Sequence, residues 1–269
     1  MCDRNEARDG CYLPHLTWPE VGELLKTTDT VILPFGAIEQ HGPALPLGTD
    51  TLGVIAVSRE AARRAKVLCA PVLFPALSGH HMKFPGTITL TEETFSRVVM
   101  EAAGSLASHG FRRIVLSNGH GGNEATLTYL AYRITRETPA SAMVFGIAEL
   151  RKIYLSANID KLDIHAGIGE TSSMLYQQPE LVRADKVQRP RMTLDAWRER
   201  LLTQVRADPA LLRYVTLKLP PVHEISSNGC ITYGDPADGT AQRGKELFEA
   251  YVEALVAFIR AWQAATTMP

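Results

Sequence analysis

The stretch Arg113-Ile114-Val115-Leu116-Ser117-Asn118-Gly119-His120-Gly121-Gly122-Asn123 places a short apolar strand directly before a glycine-rich loop that carries a histidine. Before it, Thr91 caps an amphipathic helix that Gly110 ends, since threonine accepts from free helix amides and glycine tolerates the left-handed conformation. After it, a helix over about 123–137 leads to a strand over about 142–147. This alternation with short connections predicts an α/β domain whose mostly parallel sheet is covered by helices on both faces.

The same rhythm extends to both ends of the chain. Thr17 and Glu20 form a predicted capping box that starts a short helix ending near Lys26. The apolar run Val31-Ile32-Leu33-Pro34-Phe35 predicts a strand buried on both faces. A helix over about 50–65, a strand over about 67–74 and a last helix over about 239–263 complete the pattern. Ligands bind at the carboxyl ends of the strands in such sheets, so the loops that follow the strands are the expected site.

Length and charge limit the class of protein. With 269 residues, 45% of them hydrophobic, the chain is expected to form one domain over residues 15–269 after a disordered start over residues 1–14. Charged and proline-bearing stretches over residues 183–221 predict an insertion or flap within that domain. The 28 basic and 29 acidic residues nearly cancel, which excludes a whole-chain electrostatic footprint for nucleic acid or an anionic membrane. A small molecule is the expected partner.

Cysteine usage and hydropathy indicate the expected compartment. Cys2, Cys11, Cys69 and Cys230 show neither paired spacing nor high density, so a reducing compartment is expected. The first ten residues lack the apolar core of a signal peptide, and no later run approaches the roughly 18 apolar residues of a membrane span. The sequence therefore predicts a cytoplasmic protein that does not bind a membrane.

Metal-capable side chains gather in the predicted loops. Glu39 and His41 are two residues apart, so an extended backbone would direct both to one side, and Asp50 follows on the same segment. The segment His165-Ala166-Gly167-Ile168-Gly169-Glu170 adds an imidazole and a carboxylate at the start of a predicted helix. With the glycine-rich loop, five ligands exceed one tetrahedral site and suit two ions that share a carboxylate. The candidate metal ligands are Glu39, His41, Asp50, His120, His165 and Glu170, that is, five ligands and one spare histidine.

Ordinary structural roles compete with these assignments. Asp50 precedes an apolar helix and could cap it, and Glu170 could stabilise the dipole of the helix that it begins. His81 could line the pocket or, beside His80, be a simple loop histidine. The metal role is the favoured interpretation of Asp50 and Glu170, because the other candidates lie at the same predicted strand ends.

Several motifs together resemble the creatininase, or creatinine amidohydrolase, family from about Leu16 to Gly244. The matching stretches, in family order, are Leu16-Thr17-Trp18-Pro19-Glu20, Glu39-Gln40-His41-Gly42-Pro43, Leu45-Pro46-Leu47, Thr49-Asp50-Thr51, His81-x-x-Phe84-Pro85-Gly86-Thr87, Asn118-Gly119-His120-Gly121-Gly122-Asn123, His165-Ala166-Gly167, Glu170-Thr171-Ser172 and Gly234-Asp235-Pro236. The resemblance implies a three-layer α/β/α sandwich, often assembled as a homohexamer. It also implies a binuclear metal hydrolase of carbon–nitrogen bonds other than peptide bonds.

The resemblance also implies a division of the ligands between two divalent ions. Glu39 and His120 would hold one ion, His41 and a carboxylate the other, and Asp50 would bridge them. Creatininase itself has a tyrosine and a glutamate where this chain has Gly121 and Gly122, so its carboxylate for the second ion is missing here. Glu170 is the expected replacement. Zinc is the expected metal. Manganese and iron are the alternatives, because these metals also accept mixed nitrogen and oxygen ligands.

The expected reaction is attack of a metal-bridging hydroxide on a cyclic amide or formamide carbonyl, with His165 as general acid or base. Its unperturbed pKa of about 6.5 suits proton transfer near neutrality. No tryptophan lies between Trp18 and Trp197, whereas the resemblance implies that creatininase encloses its substrate with tryptophans, so creatinine is disfavoured. Creatinine amidohydrolase proper, a peptidase of the mycofactocin-maturation type and a non-catalytic metal-dependent binding protein remain the alternatives.

Overall fold

A computed structural model describes residues 4–5, 8–146, 163–193 and 220–265. The helices of the described part are α1 (Trp18–Leu25), α2 (Thr49–Ala65), α3 (Glu92–Ser108), α4 (Glu124–Glu137), α5 (Ile168–Gln177), α6 (Val222–Ile225) and α7 (Ala241–Ala264). The main strands are β1 (Thr30–Phe35), β2 (Leu68–Cys69), β3 (Arg113–Asn118), β4 (Ser141–Phe145), β5 (Asp163–His165) and β6 (Ile231–Thr232). A further two-residue pair joins Arg4–Asn5 to Arg8–Asp9, and short 3-10 turns lie at Leu13–His15, Gly79–His81, Gly121–Asn123, Pro179–Leu181, Ala184–Lys186 and Pro236–Asp238.

Within the described residues, the central sheet has four strands in the order β2-β1-β3-β4, and every neighbouring pair is parallel. Strand β1 lies in the middle, with Val31 opposite Ile114 on one side and Leu68 on the other. All six residues of β1 are buried, as the uninterrupted apolar run predicts for a strand covered on both faces. Strands β5 and β6 form a separate antiparallel pair.

Helices cover both faces of this sheet, because the side chains of a strand alternate between faces. On one face, Val31, Leu33 and Phe35 of β1 share a core with residues of α3 and α4, including Phe95, Val99, Leu127 and Leu130. On the other, Ile32 of β1 and Val115 of β3 share a core with residues of α2 and α7, including Val57, Ala61, Val252 and Leu255. The predicted α/β/α sandwich with a mostly parallel sheet is thus confirmed.

Local sequence signals predicted where most helices and strands begin and end. The main exception is a strand that a proline ends early. Glu20 accepts from the Thr17 amide at 2.7 Å before α1, and Thr91 accepts from the Thr94 amide at 3.3 Å before α3, as predicted. The strand expected over residues 67–74 is only Leu68–Cys69, because Pro71 has no amide to donate to the ladder. The strand predicted over residues 142–147 is found as Ser141–Phe145; Gly146 is no longer in the strand, and residue 147 lies outside the described part.

Part of the amino-terminal segment packs against the rest of the protein, which the sequence did not predict. The disorder expected over residues 1–14 is wrong for Cys11, which is 1% exposed and whose carbonyl accepts from the Cys69 amide at 2.7 Å. Cys11 is also disulfide-bonded, whereas Cys69 and Cys230 are free and buried. No helix among the described residues has the length and apolar character needed to span a bilayer.

The segment expected to be an insertion or flap, residues 183–221, is described only at its two ends. Arg189 binds Asp235 at 2.8 Å, and Met192 pairs with Ser226, so its first part lies against the chain around β6. Residues 194–219, which carry the remainder of that prediction, lie outside the described part.

Candidate metal centre

The candidate site lies where β1 and β3 end. The loop after β1 carries Glu39 and His41, and the loop after β3 carries His120. The close approach of these loops to α2 requires glycine: a Cβ on Gly36 would lie 2.5 Å from the Thr51 Cα, and one on Gly119 would lie 2.9 Å from the Asp50 carbonyl. The amino-terminal end of α2 is therefore held against both loops.

Asp50 lies between two histidines. Its Oδ1 is 3.2 Å from the His41 Nε2, and its Oδ2 is 3.1 Å from the His120 Nδ1. The residue that caps α2 is Gly48, so Asp50 lies in the first helical turn and its side chain points into the site. One carboxylate oxygen toward each imidazole is the arrangement that a bridging ligand needs.

Glu39 is the point at which three imidazoles converge. Its Oε1 lies 3.3 Å from the His120 Nδ1, 3.3 Å from the His81 Nε2 and 3.7 Å from the His165 Nδ1. The Glu39 side chain is 1% exposed, and its second oxygen, Oε2, has no hydrogen-bond partner among the described residues. A buried carboxylate oxygen without a partner is costly unless a bound cation satisfies it.

Glu170 has two neighbours in the site. Its Oε2 accepts from the Ala166 amide at 2.6 Å and lies 3.8 Å from the His41 Nε2. The first contact is of the kind expected for an acidic residue in the first turn of a helix, here α5. The second leaves the carboxylate beside His41, as the predicted role at the second ion requires.

His165 enters the site from the end of β5. Its Nε2 lies 2.5 Å from the Gln40 carbonyl oxygen, which can only accept, so this nitrogen carries the proton of the neutral ring. The Nδ1 lone pair therefore faces Glu39. The imidazole lies beside that of His41, with ring centroids 4.3 Å apart and the ring planes tilted by 36°.

Two further histidines, whose role the sequence left undecided, lie at the site. His81 is 2% exposed and directs Nε2 at Glu39, so it belongs to the site and is no simple loop histidine. His80 lies parallel to His120 with ring centroids 5.8 Å apart. The motif that follows, Phe84-Pro85-Gly86-Thr87, was the available signal, because it resembles the family pattern beside an otherwise ordinary histidine pair.

The pKa values of the acids and histidines in the site are shifted by burial and by neighbouring charges, and burial raises the pKa of Glu170 to about 7. Burial opposes the charge on Glu39, but His120, His165 and His81 hold the pKa of its carboxyl well below the usual range. Burial lowers the pKa of His41, but Asp50 and Glu170 outweigh it and raise that pKa to about 10. Burial and the neighbouring His41 lower the pKa of His165 to about 3.

The donor set fits divalent metal ions. Ligand atoms of Glu39, His41 and Asp50 lie within 4.8 Å of one another, as do those of His41, His165 and Glu170. His120 donates through Nε2 to the Leu77 carbonyl at 3.1 Å, which leaves Nδ1 free as a ligand. Mixed imidazole and carboxylate donors suit zinc, manganese and iron. The structure brings all six predicted site residues together, and their individual roles stay predictions.

Comparison with known proteins gives relatives along nearly the whole chain. The family described as "Creatininase: Creatinine amidohydrolase" matches residues 14–259. The mycofactocin precursor peptide peptidase of Mycobacterium tuberculosis is 30% identical, with 92% of this chain and 94% of that protein covered. The creatinine amidohydrolase of Pseudomonas putida is 34% identical, with 65% of this chain and 75% of that protein covered.

Solved structures agree with the sequence match. A manganese creatininase and a mutant creatininase of the Zn-Zn type each have a TM-score of 0.73 and 26% identity to this protein. Each covers 93% of this chain, which covers 98% of the first structure and 97% of the second. The resemblance noted in the motifs is thereby confirmed. The chain belongs to the creatininase family and is a hydrolase of that family.

Proposed function

We propose that this protein is a metal-dependent amidohydrolase that cleaves a non-peptide carbon–nitrogen bond, in a cyclic amide or a formamide, with two divalent ions. The observation that carries the proposal is the pair of buried carboxylates, Glu39 and Asp50, set among four histidines at the strand ends. The Glu39 Oε2 atom, buried without a partner among the described residues, supports a bound cation.

The residues divide naturally between two ions. Glu39 and His120 would hold one, His41 and Glu170 the other, and Asp50 would bridge them with the two oxygens that face the two imidazoles. Ions bound in this way would acidify a water molecule and polarise the substrate carbonyl. Manganese and zinc forms of the structural neighbours support these metals as the first to test.

His165 is the proton-transfer residue of the proposal. Its Nε2–H donates to the Gln40 carbonyl, so Nδ1 is the atom that can accept a proton and later deliver it to the leaving nitrogen. Burial beside His41 favours the neutral ring, which is the form that accepts. Such proton transfer contributes about a hundredfold to ten-thousandfold in rate.

The lack of space in the glycine-rich loop supports Glu170 of α5, and not a residue of this loop, as the carboxylate ligand of the second ion. A Cβ on Gly122 would lie 2.4 Å from both the His120 Nε2 and the Leu77 carbonyl oxygen, so no larger side chain fits there without a rearrangement. Gly121 meets nothing within 4 Å, which leaves room where the resemblance implies a tyrosine in creatininase. Creatinine is therefore not the proposed substrate.

Peptide cleavage is the second candidate function. It is favoured by the Mycobacterium tuberculosis relative, which is named a mycofactocin precursor peptide peptidase and is covered over 94% of its length. An open position at Gly121 is compatible with a substrate longer than a small ring.

Assembly into a homo-oligomer, a hexamer by resemblance, and the absence of nucleic-acid and membrane partners stay predictions.

Activity of metal-loaded protein against a panel of amides tests the proposal. The protein would be stripped, reloaded separately with zinc, manganese or iron, and assayed on cyclic amides, formamides, lactones and short peptides, with elemental analysis of each sample. Hydrolysis of a cyclic amide or formamide by protein that holds two ions is the expected result. Cleavage of peptides alone would favour the second candidate, and bound metal without any turnover would favour a binding protein.

A further inference from the structure

The side-chain amide of Gln40 is held in one orientation by two backbone groups. Its Oε1 accepts from the Gly42 amide at 2.9 Å, and its Nε2 donates to the Gly229 carbonyl at 3.2 Å. The reversed amide would set two donors together at Gly42 and two acceptors together at Gly229. Gln40 is 5% exposed, so water cannot compensate for such mismatches.

This fixed orientation determines the protonation pattern of His81. The second hydrogen of the Gln40 amide faces the His81 Nδ1 at 2.8 Å, so that nitrogen must accept. A neutral imidazole has one donor and one acceptor, and the proton of His81 is therefore on Nε2. This Nε2–H faces the Glu39 Oε1 at 3.3 Å.

The backbone carbonyl of Gln40 acts in the same way on His165. The His165 Nε2 lies 3.0 Å from the Gln40 Nε2 but only 2.5 Å from the Gln40 carbonyl oxygen, so its hydrogen goes to the carbonyl. Nδ1 is left with a lone pair toward the centre. Gln40 thus gives both neighbouring histidines the same Nε2–H tautomer, which directs an N–H of His81 but a lone pair of His165 toward Glu39.

We propose that Gln40 is a positioning residue of the metal centre: through His81 it holds the Glu39 Oε1 and so presents the Glu39 Oε2 to a metal ion. The proposal rests on the metal centre of the proposed function. It accounts for the asymmetry of Glu39, whose Oε1 has imidazole neighbours while its Oε2 is buried without a hydrogen-bond partner among the described residues. Groups that orient a metal ligand contribute about 10–100-fold to metal affinity or activity.

The competing interpretation makes His81 itself a ligand. Ligand atoms of Glu39, His81 and His165 lie within 4.8 Å of one another, which would be compatible with a further ion. Coordination through Nε2 would require the proton on Nδ1, where it would face the Gln40 amide hydrogens. The contacts of Gln40 therefore favour a hydrogen bond from His81 to Glu39 over a metal bond.

A double-mutant cycle on zinc affinity tests the proposal. Gln40→Met keeps the length of the side chain without its amide, and His81→Phe keeps a ring without its nitrogens. Zinc affinity is measured by competition with a fluorescent chelator, zinc content by elemental analysis, and folding by denaturant titration. Gln263→Met is the matched control, because the Gln263 amide binds the Thr30 hydroxyl at 3.3 Å at the far end of β1 from the site.

We expect each single variant to bind zinc about 10–100-fold more weakly, and the double variant to bind no more weakly than the poorer single one. Zinc content at saturation and the affinity of the control variant should match those of the wild type. If Gln40→Met fails to fold, Gln40→Glu replaces it, because its carboxylate still accepts from Gly42 but has no hydrogen for His81.

Three results would overturn the inference. They are an unchanged affinity in the Gln40 variant, losses that add in the double variant, or one zinc ion fewer per chain in His81→Phe. Each of these would leave the proposed function standing if the wild type binds zinc and hydrolyses an amide. A wild-type protein that takes up no metal would instead refute the proposed function and the inference with it.

Discussion

The two adjacent glycines of the loop after β3 provide a matched pair for testing how the site is built. In Gly122→Ala the new Cβ would lie 2.4 Å from the His120 Nε2 and 2.4 Å from the Leu77 carbonyl oxygen. These two atoms form a 3.1 Å hydrogen bond, so the methyl group must separate them. In Gly121→Ala the methyl group meets nothing within 4 Å.

The expected cost of Gly122→Ala has two parts. A buried hydrogen-bonding group left without its partner costs about 1–3 kcal/mol, and overpacking costs about 1–3 kcal/mol. Part of this is offset by the lower backbone entropy of unfolded alanine, about 0.5–1 kcal/mol. We therefore expect the free energy of unfolding to fall by about 2–4 kcal/mol in Gly122→Ala and to rise by about 0.5–1 kcal/mol in Gly121→Ala, which gains the entropy term without a steric cost.

Urea titration of both variants, stripped of metal, measures these differences directly. Zinc competition on the folded proteins adds a second observable, since a displaced His120 imidazole should weaken zinc binding by about 10–100-fold in Gly122→Ala alone. Equal stability and equal affinity in the two variants would refute the geometry of the loop. A loss in Gly121→Ala as large as that in Gly122→Ala would do the same.

Three further perturbations address the ligands, the proton-transfer residue and the fold. Asp50→Asn should release both ions in elemental analysis, because Asp50 faces both His41 and His120, whereas the exposed Asp185→Asn should keep them. His165→Ala should keep the metal but lower kcat about a hundredfold to ten-thousandfold, and an unchanged kcat would remove this residue from the mechanism. Lys66 ends α2 at φ 56°, so Lys66→Gly should raise the free energy of unfolding by about 1 kcal/mol, while Lys26→Gly, at φ −71° after α1, should lower it.

The parts of the fold that depend on neighbouring residues could be predicted from the sequence. The capping residues Thr17 and Thr91 act within one helical turn, and the apolar run of β1 identifies a strand covered on both faces. The sequence contains Pro71, which ends β2 early, but it could not show that the strand would be only two residues long. It also could not show that Cys11 would be buried beside Cys69, because that contact depends on where the sheet brings distant segments.

The candidate site shows the same division. Metal-capable residue types in family motifs marked Glu39, His120 and His165 without any coordinates. The role of His81 depends on its 3.3 Å approach to Glu39, and a single sequence contains no distance between two separate loops. Gln40 was overlooked because an uncharged amide between two ligands has no chemical signature until its hydrogen-bond partners are known.

The dispersion of the ligands along the chain has a consequence for biogenesis. Glu39 and His41 follow β1, Asp50 lies in the first turn of α2, His120 follows β3, and Glu170 lies in α5. During synthesis the ribosome therefore releases donors one or two at a time, and no early fragment contains the whole set. Metal acquisition is expected to follow closure of the sheet. The folded geometry, with whichever metals the cell then supplies, would decide which ions this hydrolase carries.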